Sequence, residues 1–254
     1  MQRSRSKPSS RLAEAMSDFG SLSFIASHPL AHRGLHDVSK GRPENSLAAF
    51  EAAIEHGYGI ECDAHPSADG VAMVFHDDEL ARITGAEGAF RDRKAEDLLP
   101  LRLSGTKETI PRLSDLFSLV AGRVPIVLEL KSIPSRDAGF AEVIGEAVRD
   151  YDGPLAIMSF DPFLLHDMQR VTAARPLGLT LEGNVTACHC HIAAIQRLGL
   201  DFASCRVADL PHFAPLFRHI APNKPLICWT VRSQRQRETA ERWSDQITFE
   251  GFLA

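Results

Sequence analysis

From Pro125 onward the chain alternates short apolar runs with longer amphipathic ones, and this rhythm restricts the possible folds more than any single residue does. The runs 126–131, 155–160, 177–181, 201–205, 225–231 and 246–249 read as strands. Helical spacing marks 138–151, 162–173, 188–198, 211–219 and 234–243 between them. Upstream, 29–32 and 59–64 supply two more strands. A helix joins that pair, capped by Asn45 or Ser46 and running to Glu55. Strands alternating with helices in this way build a parallel sheet covered by helices. Eight such strands in 254 residues fit a (β/α)8 TIM barrel, with a doubly wound open sheet as the alternative that periodicity leaves standing.

Composition narrows the class. A content of 44% hydrophobic and 24% charged residues gives a soluble chain ample core material. No long Gly, Ser or Pro linker divides it, so residues 12–254 read as one domain behind a Ser- and Arg-rich tail, 1–11. The tail suits a solvated, disordered segment better than a transit peptide, and 12–24 is a weak helix candidate. A net charge of −5 argues against nucleic acid as a partner. No apolar run approaches the ~20 residues of a membrane span, which speaks against stable membrane insertion. The five cysteines are scattered and odd in number, which suits a reducing compartment and makes cytoplasm the default.

Chemistry-bearing residues crowd into the stretch from His32 to Asp77. Glu61 and Asp63 stand two apart on a strand, so both side chains leave the same face. Asp69-Gly70 is a hairpin signal, and 71–75 reads as the returning strand. With those two residues as the loop, pairing runs down to Asp63 opposite His76, which sets an imidazole beside the carboxylate pair. A bulge would shift that register. Further along, Val127-Leu128-Glu129-Leu130-Lys131 adds a carboxylate and a cation at another strand end. Taken singly, Glu61 and Asp63 are surface carboxylates, and most of the 11 histidines are structural.

In order, His32-Arg33-Gly34, Pro43-Glu44-Asn45-Ser46, Glu61-Cys62-Asp63, Asp69-Gly70, His76-Asp77 and Glu129-Leu130-Lys131 resemble the motifs of the glycerophosphodiester phosphodiesterase family. The likeness runs from about residue 30 to the end, with Ser159-Phe160 and Trp229-Thr230-Val231 as softer matches. It strengthens the barrel reading, with a hairpin and a short excursion after the second strand. In a barrel, His32, Glu61, Asp63, Glu129, Lys131, Phe160 and Trp229 all stand at strand C-termini, where barrel enzymes place their sites.

The resemblance implies His32 and His76 as an acid/base pair and a small-molecule glycerophosphodiester as substrate. The substrate's own glycerol hydroxyl would attack first. Three carboxylates without a thiolate, Glu61, Asp63 and Glu129, favour one hard divalent cation, Mg²⁺ or Ca²⁺. Arg33 and Lys131 are expected on the phosphate, with Glu44 fixing Arg33 or a substrate hydroxyl. Phe160 and Trp229 are expected to wall the glycerol pocket. Cys188-His189-Cys190-His191 is a poor zinc site, because consecutive helical residues do not converge. His65 shares the hairpin face of Asp63 but stays outside the catalytic set.

Four departures from the family pattern stand out. Ser46 replaces Thr, the loop from Gly34 to Pro43 is long and carries His36, Asp37, Lys40 and Arg42, the insertion from Asp77 to Pro125 is short, and Phe249-Glu250-Gly251 replaces the usual Thr-Asp-x-Pro ending. The alternatives are a lysophospholipase D or cyclising lyase on the same chemistry and a phosphate-binding barrel without turnover. The former needs an exposed apolar groove; the latter needs no pair of histidines.

Overall fold

A computed structural model of the protein describes residues 20–172 and 175–254. The expected tail lies outside them, as does most of the 12–24 helix, whose described end is a 3₁₀ turn, Gly20–Ala26. The strands are β1 (Leu30–Ala31), β2 (Gly59–Pro66), β3 (Ala72–Val74), β4 (Ile126–Leu130), β5 (Leu155–Ser159), β6 (Leu177–Leu181), β7 (Phe202–Arg206), β8 (Leu226–Val231) and β9 (Gln246–Phe249). All but β3 are parallel and close into an eight-stranded ring, in which β1 pairs with both β9 and β2. This is the expected (β/α)8 barrel, and its closure excludes the doubly wound open sheet that alternation left standing. Because β1 is only two residues long, the far half of β2 would lose its partner on that side; antiparallel β3 covers it.

The helices are α1 (Leu47–Glu55), α2 (Ala81–Thr84), α3 (Ala95–Leu98), α4 (Leu113–Val120), α5 (Phe140–Ala147), α6 (Pro162–Val171), α7 (Val185–Leu198), α8 (Leu210–Ile220) and α9 (Gln234–Trp243). Their ends follow local chemistry. Asp161 caps α6 ahead of Pro162 at its first turn. Helix α7 begins before the expected Cys188, because the Asn184 side chain accepts from the Ala187 amide, and it ends at Gly199 with φ +64°.

Alternation sorts each strand into two faces. Ile126, Leu128 and Leu130 of β4 pack outward under the helices, whereas Val127 turns into the barrel. There it meets Met158, Phe202 and Ile227, and Ile25 of the turn Gly20–Ala26 joins them to fill the lower barrel. Gly178 is required at this level, since a Cβ would fall 2.4 Å from the Phe202 ring.

Two expectations change. The 68–70 loop has three residues, not two: the Ser67 amide donates to Val71 O and Ser67 Oγ accepts from the Val71 amide. Ala64 therefore pairs with Val74, and the Phe75 amide donates to Asp63 O. Phe75, not His76, lies opposite Asp63. The excursion after β3, read as polar, also has a core of its own, built by Phe75, Leu80, Phe90, Leu98, Leu103 and Ile110.

Candidate active site

Glu61, Asp63 and Glu129 form a buried floor at the C-terminal end of the barrel. Asp63 and Glu129 are register partners on β2 and β4. The three are 2%, 2% and 7% exposed, and one oxygen of each lies within 4.8 Å of the others. Burial and the neighbouring Asp63 and Glu129 charges push the Glu61 carboxyl well above its usual range. Burial also raises Glu129, against the pull of Lys131. For Asp63, burial is outweighed by Lys131, His76 and Arg33, and its pKa falls.

Two cations face these three anions. Lys131 Nζ is 2.6 Å from Glu129 Oε1 and 3.8 Å from Asp63 Oδ1; Arg33 Nε is 3.5 Å from Asp63 Oδ2. With all three carboxyls ionised, the floor is one positive charge short of balance.

Arg33 reaches the floor through a tight turn. Arg33 (φ +54°) and Gly34 (φ +80°) are both left-handed, and a Cβ on Gly34 would lie 2.9 Å from Ala49. The turn aims the Arg33 amide at Glu61 Oε2, 3.0 Å away. Within Pro43-Glu44-Asn45-Ser46, Ser46 caps α1, Asn45 Nδ2 donates to Asp63 Oδ2 at 2.9 Å, and Glu44 accepts from Arg33 Nη1 at 2.6 Å.

Each of the two expected imidazoles rests on a carboxylate. His32 Nδ1 lies 2.8 Å from Glu250 Oε2, and Arg232 Nη2 donates to that same oxygen at 2.9 Å. The bond from His32 holds the Glu250 carboxyl down at about 2. His32 Nε2 is 4.0 Å from Glu61 Oε2, and burial lowers the pKa of the ring. His76 Nδ1 lies 2.6 Å from Asp77 Oδ1. A carboxylate only accepts, so both Nδ1 atoms carry protons and both Nε2 atoms are left for other work.

Arg82 of α2 ties the rim together. It donates to both oxygens of Asp77, at 2.5 and 2.8 Å, and to both oxygens of Glu44, at 2.9 and 2.8 Å. His65 is structural: Nδ1 accepts from Arg91 Nε, Nε2 donates to His76 O, and burial lowers its pKa to about 4.

A cavity of about 490 Å³ opens above the floor, lined by Glu129, Lys131, His76, Ser132, Phe160 and the acidic lip Asp77–Glu79. Phe160 is 41% exposed. Trp229 backs it edge-on at 5.5 Å, its indole N–H bonded to Ser204 O, and does not line the cavity. The other expected residues, His32, Arg33, Glu44, Glu61, Asp63, His76, Glu129 and Lys131, come together in one polar network. Cys188 to His191 do not converge: Cys188 is buried, Cys190 is exposed, and both histidines bond to backbone carbonyls.

Asn45, Asp77, Arg82, Arg232 and Glu250 were not legible as site residues. Glu250 follows β9, which closes against β1, so barrel closure itself brings it to His32.

A profile of the Glycerophosphoryl diester phosphodiesterase family matches residues 32–249. The chain belongs to that family. A glycerophosphodiester phosphodiesterase of Caldanaerobacter subterraneus subsp. tengcongensis is 34% identical over 163 residues, covering 60% of this chain and 66% of that protein. One from Bacillus altitudinis is 34% identical over 131 residues, covering 48% of this chain and 52% of its own length. The chain thus spans about half to two thirds of these curated relatives. Among solved structures, an Oleispira antarctica phosphodiesterase in complex with the product sn-glycerol-3-phosphate superposes with a TM-score of 0.77 at 22% identity, covering 89% of this chain and 94% of that one. A glycerophosphodiester phosphodiesterase from Thermotoga maritima gives 0.71 at 24% identity, with 87% and 92% covered. At these identities the structures bear on the fold.

Proposed function

We propose that the protein hydrolyses glycerophosphodiesters to glycerol 3-phosphate and an alcohol, with a divalent cation, Mg²⁺ or Ca²⁺, held by Glu61, Asp63 and Glu129. The fit rests on the floor itself: three buried carboxylates, all-oxygen donors and a negative charge left uncompensated once all three ionise suit a hard ion. When bound, such an ion neutralises phosphate charge and polarises the P–O bonds. Arg33 and Lys131 turn from the carboxylates toward the non-bridging phosphate oxygens. The Nε2 atoms of His32 and His76 exchange protons, one taking the proton of the attacking glycerol hydroxyl and the other giving one to the leaving alkoxide; water then opens the resulting cyclic phosphate to glycerol 3-phosphate, with the two proton-transfer roles reversed. Phe160 walls the substrate, with Trp229 behind it.

The observation that carries this reading is the repeated imidazole–carboxylate couple beside one buried anionic floor. A site that only bound phosphate would need neither. The named activity of the relatives and the product in the Oleispira antarctica complex support the substrate class.

One observation favours a second reading, headgroup removal from single-chain lysophospholipids. Phe160, Phe163 (81% exposed) and Val185 (50%) follow the ends of neighbouring β5 and β6, an apolar rim that the sequence did not reveal. Among the described residues no helix is long and apolar enough to cross a membrane, and all five thiols are free. Free thiols support a cytoplasmic setting.

The test is hydrolysis of glycerophosphocholine, glycerophosphoethanolamine and lysophosphatidylcholine, each with EDTA and with Mg²⁺ or Ca²⁺ restored. Turnover of the first two that vanishes on chelation is expected. Chelation-resistant turnover contradicts the ion, and turnover of the lysolipid alone selects the second reading.

A further inference from the structure

We propose that His32, His36 and Glu250 form a second metal site, for a borderline cation such as Zn²⁺, whose occupation stops proton transfer at His32. A ring nitrogen from each histidine and a Glu250 oxygen lie within 4.8 Å of one another. The three come from different places: the end of β1, the long loop that follows it, and the end of β9, which pairs with β1.

Donor chemistry separates this cluster from the floor. The floor offers three oxygens and suits a hard ion, whereas two imidazoles and one carboxylate suit Zn²⁺, with a fourth position left open. At Zn–N and Zn–O bonds of about 2 Å, tetrahedral ligands stand about 3.3 Å apart. The widest pair here must close by no more than about 1.5 Å, a movement within reach of a loop side chain. His36 is free to make it. Its ring has no hydrogen bond or ion pair among the described residues, although its backbone is pinned by the hydrogen bond that the His36 amide donates to Gly34 O at 2.9 Å. Arg232, which shares Glu250, is 54% exposed and can withdraw to solvent.

Occupation has a definite chemical consequence. Nδ1 of His32 now donates its proton to Glu250. A metal bound on that side takes the Nδ1 lone pair, and the proton moves to Nε2 with no net gain or loss. The ring is then fixed with N–H toward the floor: it cannot accept a proton there, and giving that one up would leave a metal-bound imidazolate, which makes the ring a far poorer acid than imidazolium. Inhibition therefore rests on the acid/base reading of His32; binding does not.

The test is Zn²⁺ binding in competition with a chromophoric chelator, in excess Mg²⁺ to fill the floor, for the full chain and for His36→Ala, His36→Gln and Glu61→Gln. One Zn²⁺ is expected on the unaltered chain. Both His36 variants should weaken it about 100-fold, at the upper end of what loss of a mere supporting residue costs at a metal site, and Glu61→Gln should leave it within about twofold. Basal hydrolysis by the His36 variants should match the unaltered chain, while the Zn²⁺ needed to halve it rises by the same factor. Equal affinity with and without His36, or Zn²⁺ binding lost in Glu61→Gln, overturns the site. Zn²⁺ that binds through His36 without slowing turnover overturns its effect on His32. An inactive protein that still binds Zn²⁺ through His36 would sink the functional reading and leave this site standing.

Discussion

The two ends of this barrel use one strand register for opposite chemistry. On β4, Val127 joins Phe202, Met158 and Ile227 in an apolar plug; two residues on, Glu129 joins Glu61 and Asp63 in a charged floor. The lower end gains free energy by burying apolar surface. The upper end spends it, because buried like charges are costly until an opposite charge arrives. Neighbouring inward positions thus divide stability from chemistry, and substitutions at the two ends should fail in different ways.

The largest separation is expected for His32→Ala or His76→Ala, which should lower kcat by about 10²- to 10⁴-fold, the usual share of general acid–base catalysis. Thermal melting should barely move. A variant with intact activity removes that histidine from the chemistry. At the other end, Phe202→Ala should cost about 3–5 kcal/mol in urea unfolding, the usual penalty for emptying a core aromatic position. Activity per folded molecule should persist; an activity loss without a stability loss would abolish the division.

Arg82→Ala sharpens the comparison within the upper end. Its guanidinium bridges Asp77 and Glu44, which hold His76 and Arg33. Turnover should fall about ten- to a hundred-fold through misplaced groups, with Lys restoring only part, because it lacks the planar fork. Full rescue by Lys would reduce the bridge to a simple charge.

The smallest effect is one of pH. The Glu61 carboxyl is raised in the folded state, chiefly by burial. In EDTA, the unfolded chain therefore loses that proton at the ordinary glutamate pH while the folded chain keeps it. Metal-free stability should decline as pH climbs from the ordinary glutamate pKa toward the raised folded value, and Glu61→Gln should decline less steeply. Parallel curves would show that Glu61 carries no such burden.

What the sequence disclosed follows from the range of each interaction. Convergence of Glu61 and Asp63 needs only the two-residue period of a strand, and a helix-covered parallel sheet needs only alternation, so both were legible; closure into a barrel was legible through the family's motifs. The position of His76 depended on loop length. Ser67 and Gly70 close a three-residue loop, and that one-residue slip puts Phe75 opposite Asp63. His76 still reaches the site, held by Asp77 beyond the strand. Glu250 and Arg82 were harder to see, since Glu250 meets His32 from 218 residues away and Arg82 meets Glu44 from 38. Only closure of the ring and folding of the excursion bring them in.

The central claim is that the charged floor holds a divalent ion, and thermal melting with and without the ion tests it most directly. At Mg²⁺ or Ca²⁺ about 100-fold above its dissociation constant, binding adds about 2.7 kcal/mol, which for a chain of this size raises Tm by roughly 5–10 °C over EDTA. Glu61→Gln should lose most of that rise. A melting point indifferent to both ions, with turnover equally indifferent, would contradict the account.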